Sequence, residues 1–251
     1  MEEETARAST SPTLEENLYR DSGYASLNGI GLKALEQKRL KVSLISELND
    51  IFDCDPINGP EIDDPAHDVT GLLERAYPRY LVETSLWEYG LLCFSESFRS
   101  PLLWGHYTSC AAGLALGFDP ARFTLENRIT ITYGRERPVY RPVELPMTYE
   151  RRQEVFRDCF GAKAEEWRYE EEVRYVRELS KCDPSYGLYF ASFYPRSLKQ
   201  VLIGPRCSVH PTYFLHYLEK HYKGMGVTVH QASMHPSRYE ITIDGAATPA
   251  S

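Results

Sequence analysis

The spacing of apolar and polar positions along this chain changes repeatedly, and each spacing names an element. Leu27, Ile30, Leu32 and Leu35 recur at near-helical intervals and predict a short amphipathic helix over residues 27–39, with a strand at 40–45 after it. Residues 68–88 offer Leu72, Leu73, Ala76 and Leu81 to one face of a second helix, which Pro78 is placed to break. The uninterrupted apolar run at 90–95 predicts a buried strand, residues 102–107 the start of a helix, and 113–118 another short strand. Ile129, Thr130, Ile131, Thr132 and Tyr133 alternate as a half-exposed strand should. Val155, Phe156, Cys159 and Phe160 share one face of a helix over 149–160, which Gly161 is placed to end. After Tyr169, Val173 and Tyr175 alternate with Arg174 and Val176, which favours a strand. Residues 198–204 read as a strand, 211–222 as a helix, 227–230 as a strand and 239–243 as a last edge strand. Strands and helices mix without a regular βαβ repeat. An α+β fold follows: a mixed, largely antiparallel central sheet flanked by helices.

Residues 1–13 are rich in Glu, Ser, Thr and Pro and are expected to be disordered, as is the tail at 245–251. Residues 14–244 are then expected to form a single domain, because the Pro/Asp/Asn-rich stretch at 53–67 is too short to separate two self-sufficient halves. The net charge of −8 argues against non-specific nucleic-acid binding, although basic residues are densest at 122–174 and leave room for a local phosphate site. No apolar run approaches membrane-spanning length, and the acidic start Met1-Glu2-Glu3-Glu4 lacks the apolar segment of a secretory signal. A cytoplasmic protein without membrane association is the expectation. The six cysteines lie far apart and form no CxxC pair, so no metal site is expected. They are expected to be reduced, small hydrophobes, Cys93 foremost.

Polar chemistry concentrates in a few stretches. Cys93-Phe94-Ser95-Glu96 ends an apolar run, and Leu103-Trp104-Gly105-His106-Tyr107 follows. Polar-tipped aromatics at this density suit the wall of a ligand pocket, so Trp104 and Tyr107 are candidate binding residues. His106 in their company is a candidate general base, or a hydrogen-bonding group for a bound sugar or phosphate. Ser95 lacks a G-x-S-x-G elbow and reads as a strand-end or ligand-contact residue. A second cluster is Trp167-Arg168-Tyr169-Glu170-Glu171-Glu172-Val173-Arg174. On a strand, Glu170, Glu172 and Arg174 would project from one face, the guanidinium keeping at least one carboxylate ionised. A solvated salt bridge is the competing reading. The third cluster, Asn49-Asp50-Ile51-Phe52-Asp53, reads as a structural turn anchored by Phe52. There is no P-loop, no G-x-G-x-x-G opening a helix and no HExxH.

Several of these pieces, in this order, resemble domain-of-unknown-function family two-nine-seven-one. They are Leu18-Tyr19-Arg20, then Asn49-Asp50-Ile51-Phe52-Asp53 with Ile51 where the family has Pro, then Cys93-Phe94-Ser95 and Leu103-Trp104-Gly105-His106-Tyr107. Gly113 to Phe118-Asp119 follows, and Trp167-x-x-Glu170-x-Glu172-x-Arg174 after it. The likeness spans residues 14–243. A second, weaker similarity is to ADP-ribosyltransferases, and it implies NAD as substrate. On that similarity Tyr19 and Arg20 belong to the first binding strand, Arg20 taking the pyrophosphate. Ser95 with His106 and Tyr107 forms the second gripping element, and Glu172 or Glu170 contacts the nicotinamide ribose. The catalytic set so implied is Glu172, Glu170 and His106; the binding set is Tyr19, Arg20, Ser95, Trp104, Tyr107 and Arg174. The partners are a nucleotide-type small molecule and a macromolecular acceptor. Two other readings stay open: a non-catalytic nucleotide- or partner-binding module, and a His106/Glu-dependent hydrolase or nuclease.

Overall fold

The computed structural model describes residues 18–22, 30–54, 88–123, 128–137 and 148–243. The helix expected at 68–88, but for its last residue, and both chain ends, 1–13 and 245–251, lie outside the described residues. In chain order the elements are β1 (Leu18–Ser22), α1 (Ile30–Gln37), β2 (Arg39–Leu44), β3 (Tyr89–Ser95), α2 (Pro101–Tyr107), β4 (Leu114–Phe118), β5 (Arg128–Thr130) and β6 (Thr132–Gly134). Then come α3 (Tyr149–Phe160), β7 (Ala162–Ala164), β8 (Glu172–Glu178), β9 (Asp183–Ser185), β10 (Leu188–Ser192), β11 (Leu198–Ile203), α4 (Pro211–His221), β12 (Thr228–Met234) and β13 (Ile241–Ile243).

Eleven strands form one sheet in the order β13-β12-β11-β4-β1-β3-β2-β10-β9, with β8 on β3 and β5 on β8. Among the described strands only β11 with β12 and β6 with β7 are parallel; the rest pair antiparallel. The protein is α+β, as its mixed periodicity implies. The run 129–133 does not stay one strand. Its backbone changes partner at Ile131, whose N–H bonds to the Glu172 carbonyl, and Thr132, whose N–H bonds to Gly161. Residues 128–130 therefore join the large sheet and 132–134 pair with β7 in a small one.

The pairing of β3 and β8 organises the centre, with Leu91 opposite Val176, Leu92 opposite Tyr175, Cys93 opposite Arg174, Phe94 opposite Val173 and Ser95 opposite Glu172. Side chains alternate across a sheet, so these five pairs divide between its two faces. Leu92, Phe94, Val173 and Tyr175 enter the main core, where α1 contributes Leu35 and α4 contributes Phe214 and Leu218. On the opposite face Leu91 and Val176 pack with Cys159 and Phe160 of α3. Farther along that second face the partners turn polar. There the apolar layer gives way to the site.

Two glycines permit this packing. A Cβ on Gly90 would stand 2.5 Å from Val42 Cγ1, so only glycine lets β2 lie this close to β3. Gly161 follows α3 as expected, but its φ is not left-handed; a Cβ there would stand 2.5 Å from the Arg157 carbonyl oxygen, and that close approach is the reason for glycine.

Candidate active site

On one edge, β3 has two neighbours in succession. β2 pairs with it at Leu91 and Gly90, and β1 pairs with it at Ser95. Where they diverge lies a pocket of about 690 Å³, including the part open to solvent. Its cavity volume proper is about 150 Å³, so a ligand larger than a single ring would extend through the open mouth. The end of β2 and the turn after it bring Ser43, Glu47, Asn49 and Asp53 to the wall; β3 brings Cys93 and Ser95; α2 brings Leu103 and Tyr107. Lys163 of β7, Glu170 and Glu172 complete it.

Five charged side chains meet at the floor. Arg174 is 0% exposed. Its Nε and Nη2 donate to the two oxygens of Glu172 at 2.8 and 2.9 Å, and Nη2 donates to Asp53 Oδ2 at 2.8 Å. Nη1 donates to the Phe160 carbonyl at 3.1 Å. Lys163 Nζ lies 2.5 Å from Glu170, 2.8 Å from Glu172 and 3.6 Å from Asp53, with its side chain 5% exposed. Tyr107 donates its hydroxyl to the other Glu170 oxygen at 2.5 Å. The Glu172 backbone N–H donates to the Tyr133 hydroxyl at 2.7 Å.

The two glutamates arrive by different routes. Glu172 opens β8, whereas Glu170 ends a 3-10 helix, Glu165–Glu170. Glu171 between them adopts φ 43°, a left-handed conformation that costs a non-glycine residue about 1–3 kcal/mol. Its backbone is held on both sides, N–H to the Arg168 carbonyl and C=O to the Glu96 N–H. The kink sets both flanking carboxylates on Lys163.

Burial pushes the Glu170 carboxyl up from its ordinary value of 4.5; Lys163 and Tyr107 oppose this, and the Glu172 charge adds to it. Burial would raise Glu172 as well, but Arg174 and Lys163 outweigh it and hold that carboxyl well below the ordinary range. For Lys163, burial favours the neutral amine and is overcome by Glu172, Asp53 and Glu170, so the ammonium is strongly held. Two neighbouring carboxyls with shifts of opposite sign are the usual arrangement for dividing acid–base work from charge stabilisation.

The structure brings together Glu170, Glu172, Ser95 and Tyr107. Ser95 is partly committed, its Oγ donating to the Ser97 carbonyl and accepting from the Ser97 N–H. Tyr19 pairs with Ser95, so β1 borders the pocket, with Arg20 next along it. The side chains of Tyr19 and Arg20 lie outside what the structure describes. His106 stands outside the floor: it is exposed, bonded through Nδ1 to the Tyr169 hydroxyl at 2.9 Å and ringed by Tyr107, Trp167 and Tyr169.

Two binding assignments are corrected. Trp104 is 1% exposed and packs with Phe98, Ala115 and Leu202, its Nε1 donating to the Phe98 carbonyl. Helical spacing explains this: Leu103 and Tyr107, four apart, face the pocket, while Trp104 points to the core. Arg174 has no surface to offer a ligand; it lies behind Glu172 and fixes it. Cys93 is half-buried, packed against the cluster of Leu91 and Val176 while also lining the pocket wall. All six cysteines are free.

Asp53 and Lys163 escaped the sequence reading. Asp53 sits in a segment whose Asn and Asp residues predict a structural turn. Lys163 is a single cation between two alanines, with no periodic signal to show that its ammonium is buried. Among the described residues no group of three or more His, Cys, Asp or Glu side chains is arranged to hold a metal ion, and no helix is long and apolar enough to cross a membrane. No family model, curated protein or solved structure matches this chain.

Proposed function

We propose that this protein cleaves the N-glycosidic bond of NAD, as an ADP-ribosyltransferase or an NAD glycohydrolase. One observation carries the reading: Glu170 and Glu172 share Lys163 at the floor of an open pocket, one pushed up and the other held anionic. In such a reaction the bond from ribose C1′ to the ring nitrogen breaks, and its electron pair leaves with neutral nicotinamide. The sugar becomes oxocarbenium-like. Glu172, locked by Arg174, supplies fixed negative charge close to it. An acceptor hydroxyl or water then adds at C1′ and gives its proton to Glu170, which burial makes a better proton acceptor than an ordinary carboxylate. Tyr107 orients Glu170, and β1, with Tyr19 and Arg20, borders the pocket where the pyrophosphate would lie.

Release of nicotinamide from NAD by the full chain tests this. Wild type is expected to turn over, and Glu170→Gln to lose about 100-fold or more. No nicotinamide from wild type at millimolar NAD overturns the reading. A binding module on the same pocket is the second reading, favoured because both Glu172 oxygens are already held by Arg174 and Lys163. Saturable binding of NAD without nicotinamide release selects it.

A further inference from the structure

Among the described residues, the floor of the pocket does not balance in charge. Asp53, Glu170 and Glu172 are three carboxylates, and their ion pairs among the described residues are with two cations, Lys163 and Arg174. One negative charge is left over, in a setting where Asp53 and Glu172 have side chains 2% and 5% exposed. An unmatched buried charge is costly, so uptake of a proton or a cation stabilises the site. Position decides which carboxylate takes it up. Asp53 and Glu172 are each held by both cations, whereas Glu170 is held by Lys163 alone. Glu170 also lines the open pocket, where a ligand can reach it.

We infer that the pocket selects a ligand bearing a positive charge, which it places against Glu170, and that each ligand bound releases one proton from that carboxyl. The exchange balances: protonated Glu170 and a cation give ionised Glu170 paired with that cation, and the proton passes to the buffer. The groups that face Glu170 are compatible with this. Lys163 of β7 and Tyr107 of α2 already donate to it, and the phenols of Tyr133 and Tyr169 have values raised to about 12 and stay neutral. Glu172 and Asp53 are each ion-paired with both Arg174 and Lys163, and Glu47, also on the wall, is paired with Lys41. Burial pushing Glu170 up points the same way.

The sign of the ligand charge follows from this count; its identity as an N-substituted pyridinium rests on the NAD reading above. Bound in this way, the cation would also leave Glu170 ionised, the state a general base needs.

Calorimetric titration of the full chain from pH 5 to 8 tests the inference with three probes: 1-methylnicotinamide, a cation; nicotinamide, its neutral counterpart; and benzamidine, a cation lacking the pyridinium. Each is run in two buffers of different ionisation enthalpy. The expected result is a 1-methylnicotinamide affinity rising by up to about tenfold per pH unit below the Glu170 midpoint and then levelling, with one proton released over the rising part. Nicotinamide binds more weakly and without proton release, and Glu170→Gln removes the pH dependence for the cation. If benzamidine shows the linked proton and 1-methylnicotinamide does not bind, charge selection stands and the NAD reading falls. Equal binding of the cationic and neutral probes, cation binding without proton release, or no binding of either cation at 10-millimolar order overturns the inference.

Discussion

Asp53 and Arg174 are separated by 121 positions in the chain, yet Arg174 Nη2 donates to Asp53 Oδ2 at 2.8 Å with both side chains almost wholly out of solvent. The bond ties the turn after β2 to the central strand β8. It makes the carboxylates of the site unequal in what their removal costs.

Glu172→Gln and Asp53→Asn each remove one of the two buried carboxylates that hold Arg174 and leave its guanidinium with a broken pair, and each is expected to cost about 3–5 kcal/mol. Glu170→Gln leaves both partners of Arg174 in place and is expected to change stability by no more than about 1 kcal/mol. Urea unfolding of the three variants measures this. A Glu172→Gln protein as stable as wild type would contradict the pairing seen here. For activity tests, Glu170→Gln is accordingly the cleaner variant.

Lys163→Met leaves three carboxylates facing Arg174 alone, and about 3–5 kcal/mol of destabilisation is expected. Adding Glu170→Gln removes the carboxylate that depends on Lys163 most directly. The double variant is therefore expected to be more stable than Lys163→Met by about 0.5–3 kcal/mol, as a double-mutant cycle would show.

Stability should respond to pH on two sides. Glu172 lies below its ordinary value of 4.5 in the fold, so its contribution is present above about pH 4.5 and is lost as pH falls. Glu170 lies above 4.5, so its contribution is complete below that pH and is lost as pH rises through the folded value. Unfolding midpoints from about pH 2 to pH 8 are expected to show both slopes for wild type. In Glu170→Gln the decline on the neutral side should disappear and the acid-side loss remain.

Trp104→Phe removes the indole N–H from the Phe98 carbonyl and leaves space beside Ala115 and Leu202. A loss of about 1–3 kcal/mol is expected, with the affinity for pocket ligands unchanged. Weakened binding at full stability would return Trp104 to the pocket wall.

The alternation of polar and apolar positions was enough to find the elements that build the centre. Residues 149–160 form a helix with the expected bounds, and the apolar run at 90–95 and the alternation after Tyr169 are the two strands whose pairing carries the site. The placing of Glu172 and Arg174 on one face of a strand was also legible, because strand periodicity is local. Three-residue strands were not: β7 and β9 are too short to show a period, and 129–133 looked continuous because the change of partner at Ile131 depends on where Gly161 and Glu172 lie. Glu170 was expected on the strand and reaches Lys163 from a 3-10 helix through a left-handed Glu171, which strand periodicity does not foresee. The roles of Asp53, Lys163 and Trp104, and the complete burial of Arg174, were decided by tertiary structure alone. Whether a carboxylate is a turn residue or half of a buried ion pair depends on what arrives from 121 positions away. Burial and charge partnership belong to the assembled layers, and a sequence window cannot contain both sides of such a contact.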